Sequence, residues 1–227
     1  MGIAATLLFG SLARADHAGG SDTDLLMINL EDETRHVSVG HLSLFIYPWR
    51  QLESDARMGD LFVCHLVHEA KPLVDPDGYL PKLQKAFGFR ASYQDDIQRA
   101  SDLGWYLVRF GDDLNTRLLA KRVLWCVRTI LIARSADRRL PIFGPHQLAE
   151  ETRSEAAREI LRHRHDERDD ARARQLLRAF LEAEVEPPRD LDALNRQRFL
   201  ERFVATSNKV ALQTLRQEDD SRTDYTG

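Results

Sequence analysis

The hydrophobic pattern of this chain changes period near Pro81, and that change limits the fold more than any other feature. Before it, apolar residues come in short runs bounded by polar or turn residues: Ile3–Phe9, Leu25–Leu30 and His41–Tyr47. Runs of that length with such flanks read as half-buried or buried strands. After it, apolar residues recur at spacings of three and four, as in Leu118, Leu119, Val123, Val127, Ile130 and Leu131. That is the period of a helix with one buried face. The expected fold class is therefore α+β, with a small mixed β-sheet domain over residues 1–85 followed by an all-α helical bundle over residues 86–216. Residues 217–227 are polar and are expected to form a flexible tail.

In the first region, Ser11–Arg14 suits one helical turn and Ala18–Ser21 a loop. Glu31–His36 suits a charged turn. Trp49–Val67 reads as a helix that Gly59 divides, Ala70–Val74 as a short edge strand, and Asp75-Pro76-Asp77-Gly78 as a turn. In the second region, helices are expected over Ser92–Phe110, Asp113–Ala133, Ser154–Glu184 and Asp190–Leu215, with Asp190 as a cap. With 43% hydrophobic residues among 227, the chain can bury a core for each region. Trp49, Trp105 and Trp125 read as packing residues.

Charge and cysteine content exclude some classes. The formal net charge is -4, so no general basic field marks a nucleic-acid binder. Cys64 and Cys126 are far apart and form neither a metal spacing nor a disulfide framework, which fits core packing in a reduced, cytoplasmic setting. Met1–Phe9 is too short to cross a membrane and lacks the basic start of a signal peptide, so no membrane partner is expected.

The chemistry concentrates in two short segments. Gly10-Ser11 ends the first strand. Gly10 permits a sharp turn with exposed backbone, and backbone N–H groups and the Ser11 hydroxyl there can grip phosphate oxygens. Ten residues lie between Ser11 and Asp22. Asp22 and Asp24 flank Thr23, so alternation along an extended strand turns both carboxylates to one face. Two carboxylates on one face suit a hard cation such as Mg²⁺.

These segments, Leu8-Phe-Gly-Ser-Leu-Ala-Arg14 and Gly20-Ser-Asp-Thr-Asp-Leu-Leu26, resemble the signature of the DNA polymerase β-like nucleotidyltransferase superfamily. The detail is most similar to the minimal nucleotidyltransferases and their aminoglycoside nucleotidyltransferase relatives. The tight resemblance covers about residues 5–30; a looser one covers the α+β region and the trailing helical region. It implies a Mg²⁺-dependent transfer of a nucleoside monophosphate from a triphosphate such as ATP to an acceptor hydroxyl, with release of pyrophosphate. Gly10, Ser11, Arg14 and Ser21 would meet the nucleotide, and Asp22 and Asp24 would hold the metal. The helical region would help hold the acceptor or nucleotide, with Lys121 offering a cation. The acceptor, whether protein, tRNA or small molecule, stays open.

The chain departs from that signature in two ways. The superfamily usually draws a third carboxylate from a later strand, acting as metal ligand and base. The matching strand here offers His41 and Ser43 instead, and an imidazole at His41 can serve as the base. The resembling proteins also generally carry a helix before the first strand. A second reading follows: a nucleotide- or partner-binding module with weakened catalysis, such as an antitoxin of the minimal nucleotidyltransferase type, with a toxin partner or a homodimer as its assembly. Three further patterns are weaker. His65 and Glu69 lie one helical turn apart, a zinc-compatible spacing without a third ligand. Lys121, Arg122, Arg128 and Arg134 form a basic series on one expected helix. Arg158 and His163 match the loose Arg–His spacing of HEPN ribonucleases.

Overall fold

The computed structural model describes residues 2–15, 22–164, 169–188 and 191–223. The chain divides into two compact units. The first contains residues up to Ser92 together with Ala136–Gly144; the second contains Tyr93–Ser135 and the residues from Pro145 onward.

The first unit is built on a five-stranded mixed sheet. Its strands are β1 (Ile3–Phe9), β2 (Thr23–Asn29), β3 (Arg35–Val39), β4 (Leu42–Pro48) and β5 (Lys71–Val74), in spatial order β3-β4-β2-β1-β5. β1 pairs antiparallel with β2 and β5, while β2 and β4 run parallel. β3 and β4 form a hairpin closed by Gly40 and His41. The helices are α1 (Gly10–Arg14), α2 (Trp49–Arg57), α3 (Leu61–Glu69) and α4 (Tyr79–Ala86). α2 and α3 are separated at Gly59, as the sequence suggests, and the Asp60 carboxylate caps α3 by accepting from the N–H groups of Phe62 and Val63 at 2.8 and 3.1 Å.

One face of the sheet supplies the core. Ala5, Leu7 and Phe9 of β1 and Leu26 and Ile28 of β2 pack with Leu52 and Ala56 of α2, Val63 and Leu66 of α3, and Tyr79, Leu80 and Leu83 of α4. Leu7 stands opposite Leu26, Ala5 opposite Ile28, and Phe9 opposite Asp24. Opposite residues share a face, so Asp24 lies on the helix-covered side, at its end. A slip of one residue would turn Leu26 and Ile28 out of the core, at a cost of about 1.5–3 kcal/mol each. The core thus fixes the register that sets Asp24 beside the end of β1.

The second unit is helical: α5 (Gln94–Phe110), α6 (Thr116–Asp137, whose last two residues belong with the first unit), α7 (Pro145–Glu151), α8 (Glu155–Arg162), α9 (Asp170–Glu184), α10 (Arg196–Ala205) and α11 (Lys209–Thr223). Trp105, Tyr106, Phe180, Phe199 and Phe203 are among its largest fully buried side chains. The fold is α+β, a mixed-sheet region followed by a helical one.

Several elements differ from the sequence reading. β3 is an edge strand exposed along its whole length; it begins in the last two residues of the stretch expected as a charged turn and runs through residues 37–39, for which no strand was expected. Its hydrogen bonds come from β4 alone, so it leaves no burial pattern to read. The expected helix over residues 154–184 is two helices, with Asp169 capping α9. The expected helix over residues 190–215 is a 3₁₀ turn at Leu191–Ala193 followed by α10 and α11, capped by Asn195 and Asn208. Asp190 lies outside the described residues. The stretch from Gln217, expected as a flexible tail, continues α11 to Thr223, and Glu218 is only 2% exposed. Tyr106 donates its hydroxyl to Glu218 at 2.5 Å, and Arg196 pairs with the same carboxylate.

Candidate active site

The candidate site begins where β1 ends. Phe9 is fully extended, and Gly10 takes φ +75 as α1 starts. A β-carbon on Gly10 would lie 2.5 Å from Asp24 Oδ2. The Asp24 carboxylate is therefore pressed against the glycine backbone, in space that any side chain at position 10 would fill. Ser11 follows, half-buried.

Asp22 stands just ahead of β2. The Thr23 N–H donates to the His41 carbonyl at 2.7 Å, which ties the start of β2 to the β3–β4 turn. His41 Nδ1 lies 3.4 Å from Asp22 Oδ1, and both side chains are more than half exposed, at 76% and 57%. Asp24 is in register with Ser43 of β4, and Ser43 with Ser38 of β3. The Ser38 and Ser43 hydroxyls are 3.4 Å apart. The ladder position beside Asp24, where a third carboxylate is expected, is thus a buried serine.

Arg14, at the end of α1, is engaged within the first unit. Its Nη1 donates to Glu69 Oε2 at 2.5 Å, and His65 Nε2 lies 2.7 Å from the same oxygen. The three side chains are 13–16% exposed. The His65–Glu69 spacing therefore serves an ion-paired cluster. Among the described residues no three His, Cys, Asp or Glu side chains form a metal-ligand group. Glu69 enters the sequence reading only through its spacing to His65. Its link to Arg14 spans 55 positions, and no local pattern encodes it.

The remaining candidates fall elsewhere. Ser21 lies outside the described residues. Lys121 is exposed on α6, in the second unit. On the same helix, Arg122 is buried and donates to Gln217 at 3.0 Å, and Arg134 pairs with Glu184 at 2.8 Å. Arg158 donates to the Thr152 carbonyl at 3.0 Å and pairs with Glu155, while His163 follows the end of α8. These arginines brace their own unit.

The donor set suits a divalent cation. Asp24 faces a residue without a side chain, and Asp22 stands two positions before it, just ahead of β2. Mg²⁺ binds through one or two protein carboxylates and fills its shell with water and phosphate oxygens. Two carboxylates would meet that requirement. Among the described residues, no helix is long and apolar enough to cross a membrane.

No protein-family model matches this chain, and no curated protein matches it. A solved structure of a nucleotidyltransferase-like protein from Exiguobacterium sibiricum 255-15 is similar to it at 14% identity. That alignment covers 95% of this chain and 74% of the other, with a TM-score of 0.31. A likeness at that level carries no argument about activity.

Proposed function

We propose that this protein is a Mg²⁺-dependent nucleotidyltransferase that uses ATP to place a nucleoside monophosphate on an acceptor hydroxyl. The observation that carries the reading is the close approach of the Asp24 carboxylate to Gly10, with Asp22 two positions before Asp24. A carboxylate held beside a glycine turn supports a cation site there, because Mg²⁺ takes one or two protein carboxylates and fills its shell with water and phosphate oxygens. Asp22 and Asp24 would hold Mg²⁺, which when bound supplies charge neutralisation for the triphosphate oxygens. The backbone at Gly10 and the Ser11 hydroxyl and N–H would meet a phosphate. The acceptor oxygen would bond to the α-phosphorus as the bond to the β-phosphate oxygen breaks and pyrophosphate leaves. With Nδ1–H donating to Asp22, His41 would take the hydroxyl proton at Nε2.

Pyrophosphate release from ATP and Mg²⁺, measured with candidate protein, tRNA and small-molecule acceptors, tests the reading. Wild type is expected to release it and Asp22→Asn/Asp24→Asn is not. Equal behaviour of the two proteins with every nucleotide and acceptor would refute the assignment.

One observation favours a second reading. Ser43, in register with Asp24, gives no carboxylate to a second cation or a base. That supports a module that binds nucleotide or a protein partner with little turnover, as in antitoxins of the minimal nucleotidyltransferase type. Under this reading ATP binds in an Asp24-dependent manner but no pyrophosphate appears, and a toxin partner or a second copy is the functional ligand.

A further inference from the structure

α1 cannot hold itself in place. It has five residues, well below the length at which a helix is stable in isolation. It leaves through Ala15 at φ 61, a left-handed conformation that is unfavourable for alanine. No side chain caps its start. Yet α1 carries Gly10, whose position against Asp24 defines the candidate site.

Ala13 packs α1 into the unit, and a polar tie holds its other end. Arg14 donates to Glu69 at 2.5 Å, and His65, one turn earlier on α3, lies 2.7 Å from the same Glu69 oxygen. His65 is itself fixed by packing. Its ring stacks on Phe143 at 4.6 Å between centroids and meets Phe9 edge-on at 5.7 Å. Phe9 is the residue before Gly10 and the ladder partner of Asp24. The cluster therefore touches both ends of the turn: Phe9 on one side and Arg14 on the other. All three polar side chains are mostly buried, where a charge-assisted hydrogen bond is worth more than on an open surface.

We infer that Glu69 is a positioning residue of the candidate site. It anchors α1 through Arg14, holds Gly10 against Asp24, and commits the Arg14 guanidinium to this anchor rather than to phosphate. The inference rests on the proposed function for its consequence on nucleotide, but not for the anchoring itself. It differs in sign from the simpler idea that Arg14 is a phosphate ligand that Glu69 only neutralises. If Arg14 bound phosphate, removing Glu69 would release it and strengthen binding. If Glu69 anchors α1, removing it weakens binding as much as removing Arg14 does.

The test is a double-mutant cycle on the full-length protein with Arg14→Ala, Glu69→Ala and the pair, read by amide exchange across Gly10–Ala15. Glu69→Gln serves as the milder variant. Each single change is expected to raise exchange in α1 on the order of tenfold or more, the scale of a lost hydrogen bond to a charged group. The pair is expected to add little beyond either single change. Unchanged α1 exchange in both Glu69 variants overturns the inference. MgATP affinity, measured by calorimetry, gives the second readout. It should fall about tenfold in Glu69→Gln and recover at least in part in the exchanged pair Arg14→Glu/Glu69→Arg. Tighter MgATP binding in Glu69→Gln would make Arg14 a phosphate ligand and overturn the proposal. If wild type binds no MgATP, the proposed function fails, and the exchange cycle still decides the anchor.

Discussion

Replacing Gly10 with alanine tests the geometry on which the site depends. Two penalties apply, and they can be separated. A non-glycine residue at φ +75 pays a left-handed backbone cost of about 1–2 kcal/mol. The new β-carbon also meets Asp24 Oδ2 at 2.5 Å and Cγ at 3.4 Å, so the carboxylate has to move. Overpacking of this kind costs about 1–3 kcal/mol. Gly40 is the control: its φ is +58, but a β-carbon there has nothing within 4 Å. Gly40→Ala should therefore pay only the backbone cost. The excess of Gly10→Ala over Gly40→Ala is the price of displacing Asp24, about 1–3 kcal/mol. For a chain of this length that lowers the melting temperature by a further 2–12 °C, roughly. Asp24→Ala should remove the excess, because the nearest remaining atom, Cβ, lies 3.5 Å away, an ordinary contact. Urea unfolding of the four variants, with amide exchange of β1 and β2 to assign the loss to the first unit, measures each term. Equal costs at positions 10 and 40, or an excess at position 10 that survives removal of the Asp24 carboxylate, would refute the contact.

Other outcomes follow from single observations. Burial, with Asp60 adding a smaller repulsion, pushes the Cys64 thiol up to about 12, and burial raises Cys126 as well. At pH 8 native Cys64 should carry roughly a thousandfold less thiolate than an open cysteine, so alkylation should be slow until urea is added; fast labelling of folded protein would contradict this. Both thiols are neutral when folded and ionise near 8.5 when unfolded. Their contribution to stability is complete below that pH and is lost as pH rises toward the folded values, by at most about 1.4 kcal/mol per unit for each thiol, which urea midpoints at pH 8 and 10.5 would register. Glu218→Ala leaves the buried Tyr106 hydroxyl without its acceptor and takes one partner from Arg196. It should destabilise the second unit by about 1.5–3 kcal/mol, whereas a loss within a few tenths in calorimetry would return residue 218 to a surface tail. Ala15→Gly relieves a left-handed alanine and should raise the unfolding midpoint by up to about 1 kcal/mol after glycine's entropy cost.

The parts of this molecule that the sequence made legible are those governed by local pattern. β1, β2, β4 and β5 follow from short apolar runs. The break at Gly59 and the turn ending at Gly78 follow from residue types that only those conformations favour. The alternation expected to turn Asp22 and Asp24 to one face is a property of an extended strand, but β2 begins at Thr23, so Asp22 stands outside it. Elements whose signal is not local were missed. β3 buries nothing, so its residues look like a loop. The breaks before α9, α10 and α11 depend on Asp169, Asn195 and Asn208, which look like ordinary polar residues in charged stretches until their side chains are seen to accept from the next turn. Glu69 and Glu218 become important only through partners 55 and 112 positions away. Arg14 shows the same limit from the other side: its place in the motif suggested phosphate, and its pairing with Glu69 came from the tertiary fold.

The first unit is not one continuous stretch of chain. It takes in residues 136–144, after the chain has already spent residues 93–135 in the second unit. The returning segment brings Phe143 onto His65, and it brings the Arg139 guanidinium over the Phe89 ring while donating to the Arg90 carbonyl at 2.5 Å. During synthesis, which proceeds from the N-terminus, the sheet can form early, but the cover over the α3 histidines arrives only when residue 144 has left the ribosome. A fragment ending at Ser92 would leave that aromatic surface open to water and to other chains, so the sheet region is expected to be a poor candidate for expression alone even though all its strands lie in the first 74 residues.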